Sequence, residues 1–243
     1  ELDAAIMDGA TLNAGAVAGV SHIRNPILAA KAVLNHGKQV LLIGKGAEVF
    51  AAAQGIEMVD TDYFFTQERY DQLQAALAVR QENVLDHDSP LSFSQDKIDP
   101  IDPKNKLGTV GAVALDSYGN LAAATSTGGL TNKVDGRVGD SPIIGAGCYA
   151  NNSTVAVSAT GTGEMFIRGV VAYDISALME YAGLSLEQAS RRVVMDKLPK
   201  INGQGGIIAI DHLGNIAMPF NTEGMYRGFG YVGETPNVAI YKN

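Results

Sequence analysis

One threonine in this chain, Thr109 in the stretch NKLGTVGAVALD, directly follows a glycine at the start of an apolar run. A threonine hydroxyl is inert at neutral pH without a neighbouring base, and a free α-amino group on the same residue, with a pKa of about 8, is suitable. That amine exists only if the Gly108–Thr109 bond is cleaved, and glycine tolerates the backbone geometry that attack on its carbonyl requires. The alternative is that Thr109 simply begins a strand, as β-branched residues often do.

A second threonine is predicted to lie beside the first. Residues 109–116 and 121–129 show the pattern of a β-hairpin with a turn at residues 117–120. Residues equally distant from Tyr118 then face each other, so Thr109 lies opposite Thr127. Thr127 could hydrogen-bond Thr109 and orient it, or the two could form an ordinary cross-strand pair.

The stretch SATGTGE, residues 158–164, places glycines and hydroxyls between a predicted strand and a predicted helix. Exposed backbone N–H groups there, with Thr160 and Gly161, could stabilise a developing oxyanion. The same features could hold a phosphate, but the stretch matches neither the P-loop nor the dinucleotide-binding pattern. We therefore favour the oxyanion interpretation.

A glycine-rich loop, GRVGDSP, offers Arg137 and Asp140 three residues apart. The guanidinium group matches a carboxylate, and the aspartate matches an ammonium group, so the pair could grip the head of an α-amino acid. The alternative is a surface ion pair.

Composition excludes several other classes of protein. The net charge is −8 and the basic residues are scattered, which argues against nucleic acid as a partner. No apolar run approaches the roughly 20 residues of a membrane span. The four histidines are isolated, so no metal site is predicted. The single cysteine, Cys148, indicates a small core residue and a reducing compartment, which we take to be the cytoplasm.

Strands and helices occur in blocks rather than in strict alternation, which favours an α+β fold with antiparallel sheets inside and helices outside. Two similar hairpins, in which Asn215 corresponds to Asn120 and Thr222 to Thr127, indicate two layered sheets. We therefore predict a four-layer α-β-β-α sandwich. Residues 39–44 are predicted as a buried strand, and helices are expected at residues 66–83, 164–182 and 185–198. Residues 84–107 show neither the apolar period of a helix nor that of a strand, and they are predicted to be a flexible linker.

The motifs GTVGAVALD, TSTGG, GRVGDSP, GAGCYANN and TGTGE, in this order, closely resemble the plant-type L-asparaginases, also called isoaspartyl peptidases. These are N-terminal-nucleophile hydrolases, and the similarity covers essentially the whole chain. The resemblance implies hydrolysis of L-asparagine and β-aspartyl dipeptides after self-cleavage at a Gly-Thr bond. Because relatives acting on glycosylated asparagine carry Asp-Thr at this junction, LGTVG favours the asparaginase and isoaspartyl branch.

The resemblance also assigns roles to individual residues. Thr109 would be the nucleophile, supported by Thr127, and Thr160 with Gly161 would form the oxyanion hole. The substrate-binding residues would be Arg137, Asp140 and Gly163. Cleavage after Gly108 would divide a single domain, 1–243, into an α part, 1–108, and a β part, 109–243. A homodimer of cleaved heterodimers would follow.

The chain departs from the family in one respect. A strand with a His-Gly-Gly motif, a first helix and a glycine-containing loop that binds sodium are expected before the position of Glu1. The resemblance thus predicts an incomplete or truncated chain that lacks the first strand and helix. No cofactor is expected to be required, and the sodium loop is not in this sequence. The alternative function is a catalytically inactive homologue that acts as a binding or assembly module.

Overall fold

The computed structural model describes residues 1–78 and 108–242. The predicted linker, 84–107, and the last part of the predicted helix at residues 66–83 lie outside these described residues.

A five-stranded sheet joins residues from both sides of the Gly108–Thr109 bond. Its order is β3-β2-β1-β5-β4, and all neighbours are antiparallel except the parallel pair β2 and β3. The strands are β1 Leu2–Asp8, β2 Ala14–Val20, β3 Leu41–Ile43, β4 Val110–Leu115 and β5 Leu121–Thr127. Because β1 and β5 exchange ladder hydrogen bonds, cleavage before Thr109 would leave the two parts held in one sheet.

A second, antiparallel sheet has the order β6-β7-β8-β9. Its strands are β6 Cys148–Ala150, β7 Val155–Gly161, β8 Gly205–Asp211 and β9 Ile216–Ala217. A separate hairpin follows, formed by β10 Gly224–Phe229 and β11 Asn237–Tyr241. The two similar hairpins of the sequence thus lie in different sheets, as predicted, and in both an aspartate before the turn accepts from the asparagine that follows it.

The two sheets pack together through small side chains. Their shared core cluster contains Ala5, Met7, Ala14, Ala16, Leu121, Ala123, Cys148, Ala150 and Ala156. A polar link runs through the same layer, where the Thr125 hydroxyl donates to the Gly147 carbonyl at 2.9 Å and lies 2.6 Å from Ser158 Oγ. A Cβ on Gly111 would lie 2.0 Å from that Ser158 oxygen. Close approach of β4 to the second sheet therefore requires glycine at residue 111.

Helices cover the outer faces of the sheets. The α-helices are α1 Pro26–His36, α2 Gly44–Ala53, α3 Gln67–Ala78, α4 Gly163–Gly169, α5 Val171–Ala182 and α6 Leu186–Arg191. Residues of α1 and α2, including Val33 and Ala51, share a core with Val17 of β2. Residues of α4, α5 and α6 share another with β7 and β8. The chain is therefore a mixed α/β fold with several sheets.

The single helix predicted at residues 164–182 is wrong, because the structure breaks it between α4 and α5. Val170 has a left-handed backbone, with φ of 47°, directly after Gly169. The N–H groups of Ala172 and Tyr173 donate to the carbonyls of residues 146 and 145, at 3.2 and 2.8 Å. These carbonyls of another segment replace the helical acceptors that the two N–H groups would otherwise use. The apolar periodicity of the sequence therefore runs across a position where the helix is broken.

Two other sequence predictions need correction. The strand predicted as buried at residues 39–44 is the three-residue outer strand β3, with Ile43 66% exposed. The apolar run could not distinguish an edge strand from a central one. The helix predicted at residues 185–198 begins with the expected capping box of Ser185 and Gln188. It then changes to a π-helical turn, Arg192–Lys197, and a 3-10 turn, Leu198–Ile201, which accommodates Pro199.

Candidate active site

The two threonines singled out from the sequence are neighbours in the structure. Val110 of β4 pairs with Ser126 of β5, which is the predicted hairpin register. Thr109, one residue before β4, donates from its hydroxyl to Thr127 Oγ1 at 3.2 Å. The same Thr127 oxygen accepts from the Gly129 backbone N–H at 3.0 Å. Thr127 is therefore held by the chain on its far side while it contacts the predicted nucleophile.

A small pocket opens beside this threonine pair. Its volume is about 380 Å³ including open solvent at its mouth. The lining residues are Gly108, Thr109, Thr127, Gly129, Leu130, Arg137, Gly139, Asp140, Ser141, Thr160 and Gly161. The structure thus brings together every residue that the sequence assigned to chemistry except Gly163, which lies directly behind the arginine and the aspartate.

The loop that carries Arg137 is anchored to the beginning of β1. Lys133 Nζ donates to the Glu1 carbonyl at 3.0 Å, and the Gly136 N–H donates to the Glu1 side chain at 3.1 Å. Arg137 N–H closes a turn on the Val134 carbonyl at 2.9 Å. These contacts hold residues 133–137 against the five-stranded sheet, next to the threonine pair.

Arg137 is not a free cation in this pocket. Its Nε donates to Glu164 Oε1 at 2.8 Å, and its Nη2 donates to Glu164 Oε2 at 2.9 Å. The Arg137 side chain is only 15% exposed, whereas that of Glu164 is 49% exposed. Hydrogen bonding by Arg137 lowers the pKa of Glu164, so this carboxylate is ionised at neutral pH. The sequence did not indicate this partner.

Asp140 is almost completely buried behind the arginine. Among the described residues, its Oδ2 has no hydrogen-bond partner, and the same holds for the hydroxyl of the adjacent Ser141. Burial raises the pKa of Asp140 from 3.8 to about 7, the charge on Arg137 opposes the rise, and the charges on Glu164 and Asp3 add to it. A buried carboxylate oxygen without a partner carries a desolvation cost that a hydrogen bond from a cationic donor would offset.

Thr160 and Gly161 end strand β7 and line the pocket. A Cβ on Gly161 would lie 2.2 Å from the Gln204 carbonyl oxygen, so no larger residue fits there. A Cβ on Gly163 would lie 2.8 Å from Arg137 Nη2 and 3.1 Å from Asp140 Oδ1. Gly163 is thus required for the arginine and the aspartate to occupy their positions together.

Asp3 is a second charged residue that the sequence interpretation missed. It lies on β1 directly opposite Thr127 and is 1% exposed. Its Oδ1 accepts from the Gly19 N–H at 2.8 Å, and burial raises its pKa. The sequence could have indicated this residue, because Asp3 lies on the same strand face as the apolar Ala5 and Met7, and an acidic residue on an apolar face is unusual.

Other chemistries find little support in residues 1–78 and 108–242. No group of three or more His, Cys, Asp or Glu side chains in that part of the chain could hold a metal ion. Cys148 is buried, and burial raises its pKa to about 12, so its thiol is not a nucleophile. The helices in the same ranges are all too short or too polar to cross a membrane.

The fold and the pocket together define a mixed α/β protein in which a threonine pair, an arginine and a buried aspartate line one pocket. The chain belongs to the asparaginase family, whose model matches residues 1–240. It is 62% identical over 244 residues to the isoaspartyl peptidase of Escherichia coli (strain K12), covering 100% of this chain and 72% of that protein.

Two further relatives are similar to the chain. The isoaspartyl peptidase of Salmonella typhimurium is 61% identical over 242 residues, covering 100% of this chain and 74% of that protein. The isoaspartyl peptidase/L-asparaginase of Xenopus laevis is 40% identical over 225 residues, covering 93% of this chain and 67% of that protein.

Proposed function

We propose that the chain is a self-processing threonine amidohydrolase that hydrolyses β-aspartyl dipeptides and L-asparagine and releases aspartate. The observation that carries this proposal is the 3.2 Å contact between the Thr109 and Thr127 hydroxyls at the edge of a pocket that also contains Arg137 and Asp140. The names of the relatives, isoaspartyl peptidase and L-asparaginase, support the same substrate class.

Maturation begins with Thr109. Its hydroxyl attacks the carbonyl carbon of Gly108, the peptide C–N bond breaks as an ester forms, and water hydrolyses that ester. The products are the Gly108 carboxylate and the free α-amine of Thr109, which then serves as the base for the hydroxyl on the same residue. Thr127 orients the hydroxyl in both reactions.

The catalytic cycle uses the same atoms. The Thr109 hydroxyl gives its proton to the α-amine as its oxygen attacks the side-chain carbonyl of the substrate, and Thr160 with Gly161 stabilises the oxyanion. The leaving amine takes the proton, and an aspartyl ester of Thr109 remains. Water, deprotonated by the α-amine, cleaves the ester and frees aspartate.

The head of the substrate is held by opposite charges. Arg137 binds the α-carboxylate, Asp140 binds the α-ammonium group, and Gly163 leaves the room in which both residues fit. Both L-asparagine and β-aspartyl dipeptides present this head, so one site serves both. We assign no step to a metal ion or another cofactor.

The architecture we propose is a four-layer α-β-β-α sandwich, supported by the two packed sheets and by the helices on their outer faces. The working unit is a homodimer of cleaved heterodimers, composed of residues 1–108 and 109–243. The buried cysteine at position 148 favours the cytoplasm as its compartment.

The experiment that tests this function measures aspartate and ammonia released from L-asparagine, and aspartate released from a β-aspartyl dipeptide. Wild-type protein should release aspartate from both, whereas Thr109→Ala should stay uncut and inactive and Thr109→Ser should retain part of each activity. A protein that is cut at Gly108 but releases nothing would instead be the binding or assembly module. Stabilisation by millimolar nucleotide would favour the phosphate interpretation of residues 160–164.

A further inference from the structure

The guanidinium group of Arg137 has two edges that can bind carboxylates side by side. Glu164 occupies one edge through Nε and Nη2, at 2.8 and 2.9 Å. Among the described residues, no other acceptor bonds to this group, so Nη1 and the second hydrogen of Nη2 remain for another carboxylate. A single arginine can thus bind a protein carboxylate and a ligand carboxylate at the same time.

The surroundings of the guanidinium leave it little other freedom. A Cβ on Gly139 would lie 3.0 Å from Nη1, and a Cβ on Gly163 would lie 2.8 Å from Nη2. A side chain at either position would crowd the guanidinium group, so both backbones can approach it only as glycine. Neither backbone bonds to it, so the contacts that fix its rotation in its own plane come from Glu164, in the first turn of α4.

We propose that Glu164 is a positioning residue that holds Arg137 by its Nε–Nη2 edge and thereby presents the Nη1–Nη2 edge to the α-carboxylate of the substrate. This role rests on the proposed function, because it requires an α-carboxylate at Arg137. Glu164 need not touch the substrate or the nucleophile. It lowers the cost of binding because the long arginine side chain is already ordered before the ligand arrives.

The charges explain why a carboxylate is suited to this position. A lone arginine beside the buried Asp140 would form an ion pair with it, which would neutralise the group that is needed for the ammonium of the substrate. Glu164 occupies the guanidinium instead, and its 49% exposed side chain remains partly hydrated. The Oδ2 of Asp140 thus stays without a partner among the described residues.

The test compares two ligands that differ only in the group bound by Arg137. L-Asparagine carries the α-carboxylate, and β-alaninamide is the same molecule without it. Their inhibition constants are measured against hydrolysis of a β-aspartyl dipeptide by wild-type protein and by Glu164→Ala, Glu164→Gln and Glu187→Ala. Glu187 is a matched control, since it also lies in the first turn of a helix and pairs with an arginine, Arg191, at 3.8 Å.

We expect Glu164→Ala to raise the inhibition constant of L-asparagine about tenfold, the weight of a hydrogen bond to a charged group. The constant of β-alaninamide should change less than about twofold, and KM for the dipeptide should rise more than kcat falls. Glu164→Gln keeps one acceptor and should show an intermediate loss of about threefold. Glu187→Ala should resemble wild type with both ligands.

Equal weakening of both ligands by the Glu164 variants, or no weakening of L-asparagine, would overturn the positioning role. An effect of Glu187→Ala as large as that of Glu164→Ala would overturn it too. If Glu164→Ala does not fold, the same comparison of the inhibition constants of L-asparagine and β-alaninamide is made with Glu164→Gln, and selective weakening of L-asparagine supports the positioning role. Failure of the proposed function has a different signature, because wild-type protein would then bind neither ligand and cleave no dipeptide.

Discussion

Binding of aspartate should depend on pH because Asp140 must be ionised to accept the ammonium group. Burial raises the pKa of Asp140 above its usual 3.8, to about 7. Between pH 6 and pH 8 the ionised fraction of this carboxyl therefore increases from about one tenth to about nine tenths. L-Aspartate keeps its own charges over this range, so its affinity should increase about tenfold in the free enzyme.

The assay compares L-aspartate with L-malate, in which a hydroxyl replaces the ammonium group. Both are measured as competitive inhibitors of β-aspartyl dipeptide hydrolysis at pH 6, 7 and 8. Titration of the Thr109 amine affects both ligands, so the ratio of their inhibition constants isolates the contact between the ammonium group and Asp140. We expect the ratio of the L-aspartate constant to the L-malate constant to fall about tenfold as the pH rises from 6 to 8.

Asp140→Asn is the control for this measurement, since it keeps the shape and loses the titration. The ratio should then be independent of pH, and L-aspartate should bind weakly throughout. A wild-type ratio that varies by less than about twofold over the range would refute the reasoning. A ratio that rises with pH would refute it as well, because the carboxyl would then bind the ammonium group in its protonated form.

Three further results are expected. The raised pKa of Asp140 destabilises the folded state above pH 4, so Asp140→Asn should gain stability over wild type as the pH rises from 5 to 7. The expected gain in the free energy of unfolding by urea is about 2 kcal/mol, and a difference between the two proteins that does not change with pH would contradict this. Gly163→Ala places a methyl group 2.8 Å from Arg137 Nη2 and should raise KM for L-asparagine about tenfold or more. Gly46→Ala, whose added Cβ meets no atom within 4 Å, should leave KM unchanged, and equal KM values for the two variants would contradict the crowding at Gly163. Thr127→Val should lower kcat by about 10- to 100-fold, whereas Thr127→Ser keeps the hydroxyl and should retain most of the wild-type kcat. A valine variant with wild-type kcat would exclude a role for the hydroxyl.

Local pattern was sufficient to predict the centre of the site. The strand period of two and a four-residue turn determine which residues face each other, so the Thr109 and Thr127 contact followed from counting. The glycine-rich stretches around residues 137 and 161 were interpreted as an amino-acid binding loop and an oxyanion site, and the structure places both stretches in one pocket. The capping box at Ser185 also follows a short-range rule, and it is present.

The missed features depend on contacts between distant segments. Glu164 was visible in the motif TGTGE, but its pairing with Arg137 joins residues 27 positions apart, and no periodicity connects them. The break at Val170 arises because carbonyls of residues 145 and 146 bond to the start of α5. The exposure of Ile43 depends on where β3 lies in its sheet. A sequence pattern indicates which face of a helix or strand is buried, but not which other element packs against that face.

The central claim is that the nucleophile is activated by an amine that is created when the chain is cut. Intact mass and N-terminal sequencing, under denaturing conditions, of protein that hydrolyses a β-aspartyl dipeptide test this claim most directly. We predict two fragments, one of which begins TVGAV at Thr109, and activity that increases with the cut fraction. Fully active protein that consists of one uncut polypeptide would contradict the mechanism.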